Sequence, residues 1–221
     1  MNEQLRKEYW SRIVEGNVPL VIPINDDNGA EIGVLRPITK MHLQSNDVIE
    51  KMTNWRNQYK TFFLTQFNAT PERTRRWLEE VVLKDNTRLL FLIFTPTKLV
   101  GHYGFKKLSP DSVEIDNLIR GEVGGHPKLI YYAEISLIKW LFTTFEVKKI
   151  YGFALADNFM ALNLHKSVGF RLTELVPLKR LEVRGDVHLK MDIPGDPSPD
   201  GLYSQKIELV PGNFIIHGGK L

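Results

Sequence analysis

Apolar positions along this chain change period several times, and each change marks an element. In NEQLRKEYWSRIVEG, Leu5, Tyr9, Ile13 and Val14 recur at helical spacing before Gly16, which predicts an N-terminal helix or arm. VPLVIPI and AEIGVLRPI flank the turn-rich NDDNGA and predict a hairpin. HLQSNDVIEKMTNWRNQYK reads as helical. TPERTRRWLEEVVLK is a second helix, with Thr70 placed to cap it and Pro71 at its first position. TRLLFLIFT, KLVGHYGFKKL and SVEIDNLI are β-rich runs separated by short turns, and fit three sequential antiparallel strands. In the helix that follows, Leu129, Ile130, Ala133, Leu137, Ile138 and Leu141 share one broad face that should lie flat on a sheet. KKIYGFALA is then a strand, NFMALNLHKSV a short helix, and GFRLTELVPL and DVHLKMDI two more strands.

This order predicts an α/β fold with a mixed, mostly antiparallel sheet flanked by helices, and not an alternating Rossmann run. The expected organisation is an arm and hairpin over residues 1–33, a main domain over 34–193, and a Pro/Gly-rich linker with a tail over 194–221. The tail segment IELVPGNFII has strand character suited to pairing with another chain, so a homodimer is one expectation and cover for a site edge another.

Composition narrows the chemistry. At 221 residues with 43% hydrophobic content, the chain can bury a full core. No apolar run reaches the roughly 18 residues a membrane span needs, and the opening MNEQLRKEYW lacks a signal-peptide layout. A cytoplasmic protein with no membrane partner is expected. The absence of cysteine excludes disulfides, thiolate zinc sites and cysteine nucleophiles. The histidines are scattered, so no metal is expected, and no serine elbow is present. A formal charge of +3 suits anionic ligands. The basic cluster PERTRRW reads as a solvated helix face, and no nucleic-acid partner is expected.

The most informative stretch is SVEIDNLIRGEVGGHPKLIYYAEISLIKWLF, where an apolar strand runs through a glycine-rich turn into a long amphipathic helix. Free N–H groups at a helix start, beside glycines that let a ligand approach, make a phosphate site. The turn lacks the G-x-G-x-x-G spacing of dinucleotide sites. Strand alternation puts Glu114, Asp116 and Leu118 on one face, and Val113, Ile115, Asn117 and Ile119 on the other.

These residues resemble the GNAT superfamily of acyl-CoA-dependent N-acyltransferases. The family's Q/R-x-x-G-x-G/A signature is matched by RGEVGG, with Arg120, Gly121, Gly124 and Gly125, while Val123 stands where the pattern has its inner glycine. ADNFMALNLHKSVGFR is similar to the family's second segment, N-x-x-A-x-x-L-Y-x-K-x-G-F, with Asn158, Ala161, Leu164, Gly169 and Phe170 in place. The resemblance covers roughly residues 34–193. It implies acetyl-CoA as acyl donor, held by the 120–125 loop, by main-chain groups near Leu118 and Ile119, and by Asn158. It also implies that the SVEIDNLI strand splays from its neighbour and exposes an N–H that polarises the thioester.

The family's tyrosine, which protonates the leaving CoA thiolate in many members, is His165 here. An imidazole with an ordinary pKa near 6.5 can donate that proton, or the side chain merely fills space. Asp116, Glu114 and His102 are candidates for taking the amine proton, each with an ordinary structural role as the alternative.

For the acceptor, NWRNQYKTFFLTQFNATPERTRRWL is similar both to members that acetylate nucleotide-linked amino sugars and to those acting on ribosomal-protein N-termini. IDNLIRG and VPLKRLEVRGDVHL are more similar to the sugar-modifying members. A small-molecule amine, most simply a nucleotide-linked amino sugar, is therefore expected. Arg56, Arg73 or Arg76 would carry charge at the cleft, and Trp55 would stack or sit in the core. Protein N-terminal acetylation is the runner-up, and a non-catalytic acyl-CoA-binding module is the third reading.

Overall fold

The computed structural model describes residues 3–215; His217 and the end of the expected tail lie outside them. Helix α1 (Glu3–Val14) precedes a hairpin of β1 (Ile22–Asn25) and β2 (Glu31–Pro37). The Asp26 carboxylate closes the turn by accepting from the Asn28 and Ala30 N–H groups at 2.9 and 3.0 Å. Helix α2 (Asn46–Gln58) starts at a Ser45 cap, and β3 (Thr65–Gln66) is a two-residue strand. Helix α3 (Pro71–Trp77) has Thr70 as its cap and Pro71 at its first position, as predicted, and runs on into a π turn at Leu78–Val82.

Strands β4 (Leu89–Phe94), β5 (Leu99–Lys106) and β6 (Ser112–Arg120) form the expected antiparallel meander. Then come α4 (Leu129–Phe145), β7 (Lys149–Leu155), α5 (Phe159–Val168), β8 (Arg171–Val183), β9 (Asp186–Met191) and β10 (Leu202–Leu209).

One sheet joins them in the order β1-β2-β4-β5-β6-β7-β10-β8-β9-β3. Every neighbouring pair is antiparallel except β6 and β7. Helices α1 and α4 cover one face, where Trp10, Ile13, Leu137 and Leu141 share a buried cluster with Phe91 and Phe105. The segments α2 and α3 with its π turn cover the other, through Ile49, Met52, Trp55, Leu78 and Val82.

Both expected appendages are part of this body. Trp10 is 2% exposed, and its indole N–H donates to the Arg88 carbonyl at 2.7 Å, so the N-terminal arm is a core element. The expected tail supplies β10, which pairs with β7 on one edge and β8 on the other. Both hydrogen-bonding edges of that strand are satisfied within the chain, so it is not the edge for strand addition that its sequence suggested.

The β5–β6 ladder is irregular where the site forms. Gly101 pairs with Arg120 and His102 with Ile119, but Gly104 pairs with Asp116, so two residues of β6 oppose Tyr103 alone. Asn117 takes φ +55° at this bulge, and its carbonyl accepts from His102 Nδ1 at 2.7 Å. The bulge corrects the predicted alternation. Val113 and Ile115 face the α1/α4 core, but beyond the bulge Leu118 faces that side and Ile119 joins the α2/α3 core.

His102 is 3% exposed, and burial first, then the nearby Arg56 charge, lower its pKa to about 4 despite the Asn117 carbonyl and Asp116. In the unfolded chain the imidazole titrates near its ordinary ~6.5. The unfolded state therefore binds more protons between the two values, and stability falls as pH drops through that window, by on the order of 3 kcal/mol from this group. Urea unfolding midpoints followed from pH 7 to pH 4 should show this slope, and His102→Gln should flatten it. Truncation after Pro194 should yield an aggregating chain with no cooperative urea transition, because it strips β7 and β8 of their shared partner.

Candidate active site

Strands β6 and β7 pair at only three positions, from Ser112↔Lys149 to Glu114↔Tyr151. Beyond them a cavity of about 1030 Å³ opens between the strands, at the upper end of the range for ligand sites. Its walls come from β6, the end of β7, the starts of α4 and α5, and the α2–β3–α3 segment on the other face. The sheet is thus open from one face to the other at this point. Leu118 and Ile119 line the gap on a stretch of β6 that has no partner strand in β7.

The loop at one end of the gap is built for an anion. Arg120 turns inward and donates to the carbonyls of Gly124 at 3.0 Å and Pro127 at 3.2 Å, so the loop's acceptors face its own arginine. Among the described residues, the N–H groups of Val123, Gly124, Gly125 and His126 meet no backbone acceptor. Gly124 and Gly125 take φ +136° and +71°, and a Cβ on Gly125 would come within 2.5 Å of the Thr95 methyl. This run of free donors leads directly into the 17-residue α4, whose N-terminal dipole favours negative charge. Gly121 has a different role from the one expected. Its N–H and that of Glu122 both donate to the Val100 carbonyl, at 2.8 and 3.0 Å, and a Cβ there would lie 2.0 Å from the Trp55 ring. Trp55 is a core residue, 3% exposed, as the plainer expectation had it.

Asn158 lines the cavity and caps α5, its side-chain oxygen accepting from Ala161 N–H at 3.2 Å. His165, one turn from the end of the same helix, is 7% exposed and also lines the cavity. Its Nδ1 lies 2.5 Å from Oε1 of Glu134, a fully buried residue of α4.

The β6 carboxylates are tied down. Asp116 accepts from Arg88 and Lys106, each at 3.1 Å, and from the Asn117 amide at 2.7 Å. Glu114 lies 3.1 Å from Lys106 and 2.8 Å from Lys107. Held by fixed cations, these two groups are wall elements more than free bases. His102 reaches the cavity too, but its Nδ1 is engaged by Asn117 and its burial makes it a weak base. Of the four predicted acid–base residues, all line one cavity, and His165 alone pairs a cavity-facing ring with a dedicated buried partner.

Several residues at the site carry no role in the sequence reading. Arg56 was expected at the cleft. What the sequence does not show is its setting: its guanidinium lies 3.5 Å from the Phe63 ring centre and 5.0 Å from that of Phe67, and it donates to the Thr65 carbonyl at 2.7 Å. Burial first, and Arg73 after it, lower Arg56 to about 10, so it stays charged near neutrality. Arg73 sits 3.7 Å over Phe67 and pairs with Asp186 at 2.6 Å. Arg76 is not part of the wall. Phe63, Phe67, Arg88 and Lys106 give no periodic signal of their role, because they reach the cavity from separate elements. Glu134 does leave one: it is four residues from both Ile130 and Ile138, inside the apolar face of α4.

The described residues contain no group of three or more His, Asp or Glu arranged to hold a metal ion, and no helix long and apolar enough to cross a membrane. No functionally curated protein shows significant sequence similarity to the chain. Solved structures share its fold at low identity. The spermidine N-acetyltransferase of Vibrio cholerae, in complex with CoA and spermine, is 14% identical over 81% of this chain and 95% of its own, with a TM-score of 0.60. The N-acetyltransferase PseH of Campylobacter jejuni, in complex with acetyl coenzyme A, is 17% identical over 80% of this chain and 96% of its own, with a TM-score of 0.52. The acetyl transferase of Salmonella typhimurium that modifies the N-terminal serine of ribosomal protein L7/L12 is 11% identical over 86% and 99%, with a TM-score of 0.60. Residues 34–171, more than half the chain, match the family described as the acetyltransferase (GNAT) domain. With its parted parallel strands and its amide-lined loop ahead of α4, the chain belongs to the GNAT acetyltransferases and is an acetyl-CoA-dependent N-acetyltransferase.

Proposed function

We propose that the acceptor is a primary amine on an anionic, ring-bearing small molecule, most simply a nucleotide-linked amino sugar. The observation that carries this reading is Arg56. Its charge lies against two phenylalanine rings at the cavity wall, with no carboxylate within ion-pair distance among the described residues. A half-buried guanidinium with no ion-pair partner, and only the longer-range attraction of Asp116, favours an anionic ligand, and the phenylalanine rings beside it suit a flat ring. Arg88 and Lys106 on the same wall are paired with Asp116 and Glu114, so Arg56 is the cation there that a ligand can still meet. A polyamine would bring its own cations against that wall, and a peptide N-terminus is better served by acidic and amide groups.

Acetyl transfer then runs directly. The neutral amine attacks the thioester carbon; the C–N bond forms as the C–S bond breaks. A β6 N–H at Leu118 or Ile119 polarises the carbonyl oxygen. The amine proton passes to water, and the sulfur takes a proton from His165, which occupies the place of the family's tyrosine.

Free-thiol release from acetyl-CoA should be measured against nucleotide-linked amino sugars, peptides with a free N-terminus, and polyamines. Release with the sugar amines alone is the expected outcome; release with peptides or polyamines alone would reassign the acceptor. Arg56→Ala should raise KM for the acceptor roughly 10- to 100-fold, the scale of one lost charge-assisted hydrogen bond, while leaving KM for acetyl-CoA unchanged.

A further inference from the structure

Glu134 is the most deeply buried charged residue described, at 0% exposure, and it lies on the apolar face of α4 against the sheet. Its Oε1 is shared by two donors: His165 Nδ1 from α5 at 2.5 Å and the Tyr103 hydroxyl from β5 at 3.1 Å. Its Oε2 is buried without a hydrogen-bond partner among the described residues. No lysine or arginine among them lies within ion-pair distance of it; His165, which carries charge only when doubly protonated, is the one basic side chain that touches it. Tyr103 supplies no charge, because burial, followed by the Glu134 carboxylate, holds its phenol well above the ordinary value.

A carboxylate placed this way costs several kcal/mol in an apolar core unless a partner compensates it. Packing alone would favour leucine at this helix position. We infer that Glu134 is a positioning residue for proton delivery: with Tyr103 it fixes the His165 ring with Nδ1–H turned to the carboxylate and Nε2 turned to the cavity. The carboxylate balances the imidazolium formed when Nε2 takes, through water, the proton that the attacking amine releases, and Nε2–H then gives that proton to the departing CoA sulfur. The ring returns to its neutral Nδ1–H form. A carboxylate that orients an imidazole in this manner is a recurring device of acyl-transfer sites. The inference rests on the reading of His165 as the proton donor, and is independent of which amine is acetylated.

Two measurements separate these readings. The first is 15N NMR of histidine-labelled enzyme without substrate. Wild type should show His165 with Nδ1 protonated and hydrogen-bonded, Glu134→Gln should keep this because the amide oxygen still accepts, and Glu134→Leu should lose it. An Nε2–H tautomer in wild type, or no change in Glu134→Leu, overturns the positioning role whether or not any acceptor turns over. The second uses whichever amine releases thiol. Glu134→Gln should lower kcat roughly 10- to 100-fold with KM for acetyl-CoA unchanged. In a His165→Asn background the same substitution should change kcat less than twofold. Equal losses in both backgrounds would make Glu134 merely structural. Full activity of His165→Asn would remove the proton-donor role and leave the tautomer result standing.

Discussion

Strands β6 and β7 run parallel for three residue pairs and then part. A parallel pair normally continues until one strand ends, because each lost hydrogen bond leaves buried polar groups without partners. Here the groups exposed by the parting face a cavity, where an extended polar ligand arm can take the place of the missing strand. The other features of the site serve this gap. The bulge at Asn117 turns β6 so that its last residues cross from one core to the other, and His102 holds the bulge by accepting confinement as a neutral ring. Helices α4 and α5 follow β6 and β7 respectively, so the same parting that opens the gap aims two helix starts at it.

The gap runs through the sheet, and its two ends differ in chemistry. At the α4 end the donors are main-chain N–H groups, which select for phosphate without regard to what it is attached to. At the α2–α3 end they are guanidinium and ammonium groups, partly neutralised by Asp116, Asp186 and Glu114. Side chains there can be exchanged without disturbing the sheet, which is where differences in acceptor among proteins of one fold would be written.

What was legible in the sequence is what is local. The Thr70–Pro71 start of α3 and the apolar face of α4 are properties of a few neighbouring residues, and both were readable. The Asn117 bulge was not read, although SVEIDNLI breaks its alternation there with two successive polar residues, Asp116 and Asn117; which of them is the extra residue shows only against the partner strand. Strand β10 was legible only at its end, through the strand character of IELVPGNFII; in its first half the buried Ser204, whose hydroxyl donates to the Ala154 carbonyl at 3.0 Å, stands where an apolar residue would signal a strand. The four acid–base candidates do come together at the cavity, yet which of them has a partner depends on Glu134, contributed from 31 residues away. Pairings between elements leave no periodic trace in either one.

The departure from the family's glycine pattern has a local explanation. Val123 occupies the inner glycine position, and a valine in a left-handed conformation would be strained. The loop avoids this by placing its first positive φ one residue later, at Gly124, and keeping Val123 out of that region. The Val123 side chain is 88% exposed, and its main-chain N–H meets no backbone acceptor among the described residues. Arg120 donates to the Gly124 carbonyl at 3.0 Å, which leaves that acceptor occupied and the following N–H groups without backbone partners. Successive main-chain N–H groups left without acceptors are what an anion-binding loop needs, and here a shifted glycine and an arginine bound to the loop's own carbonyls leave four in a row.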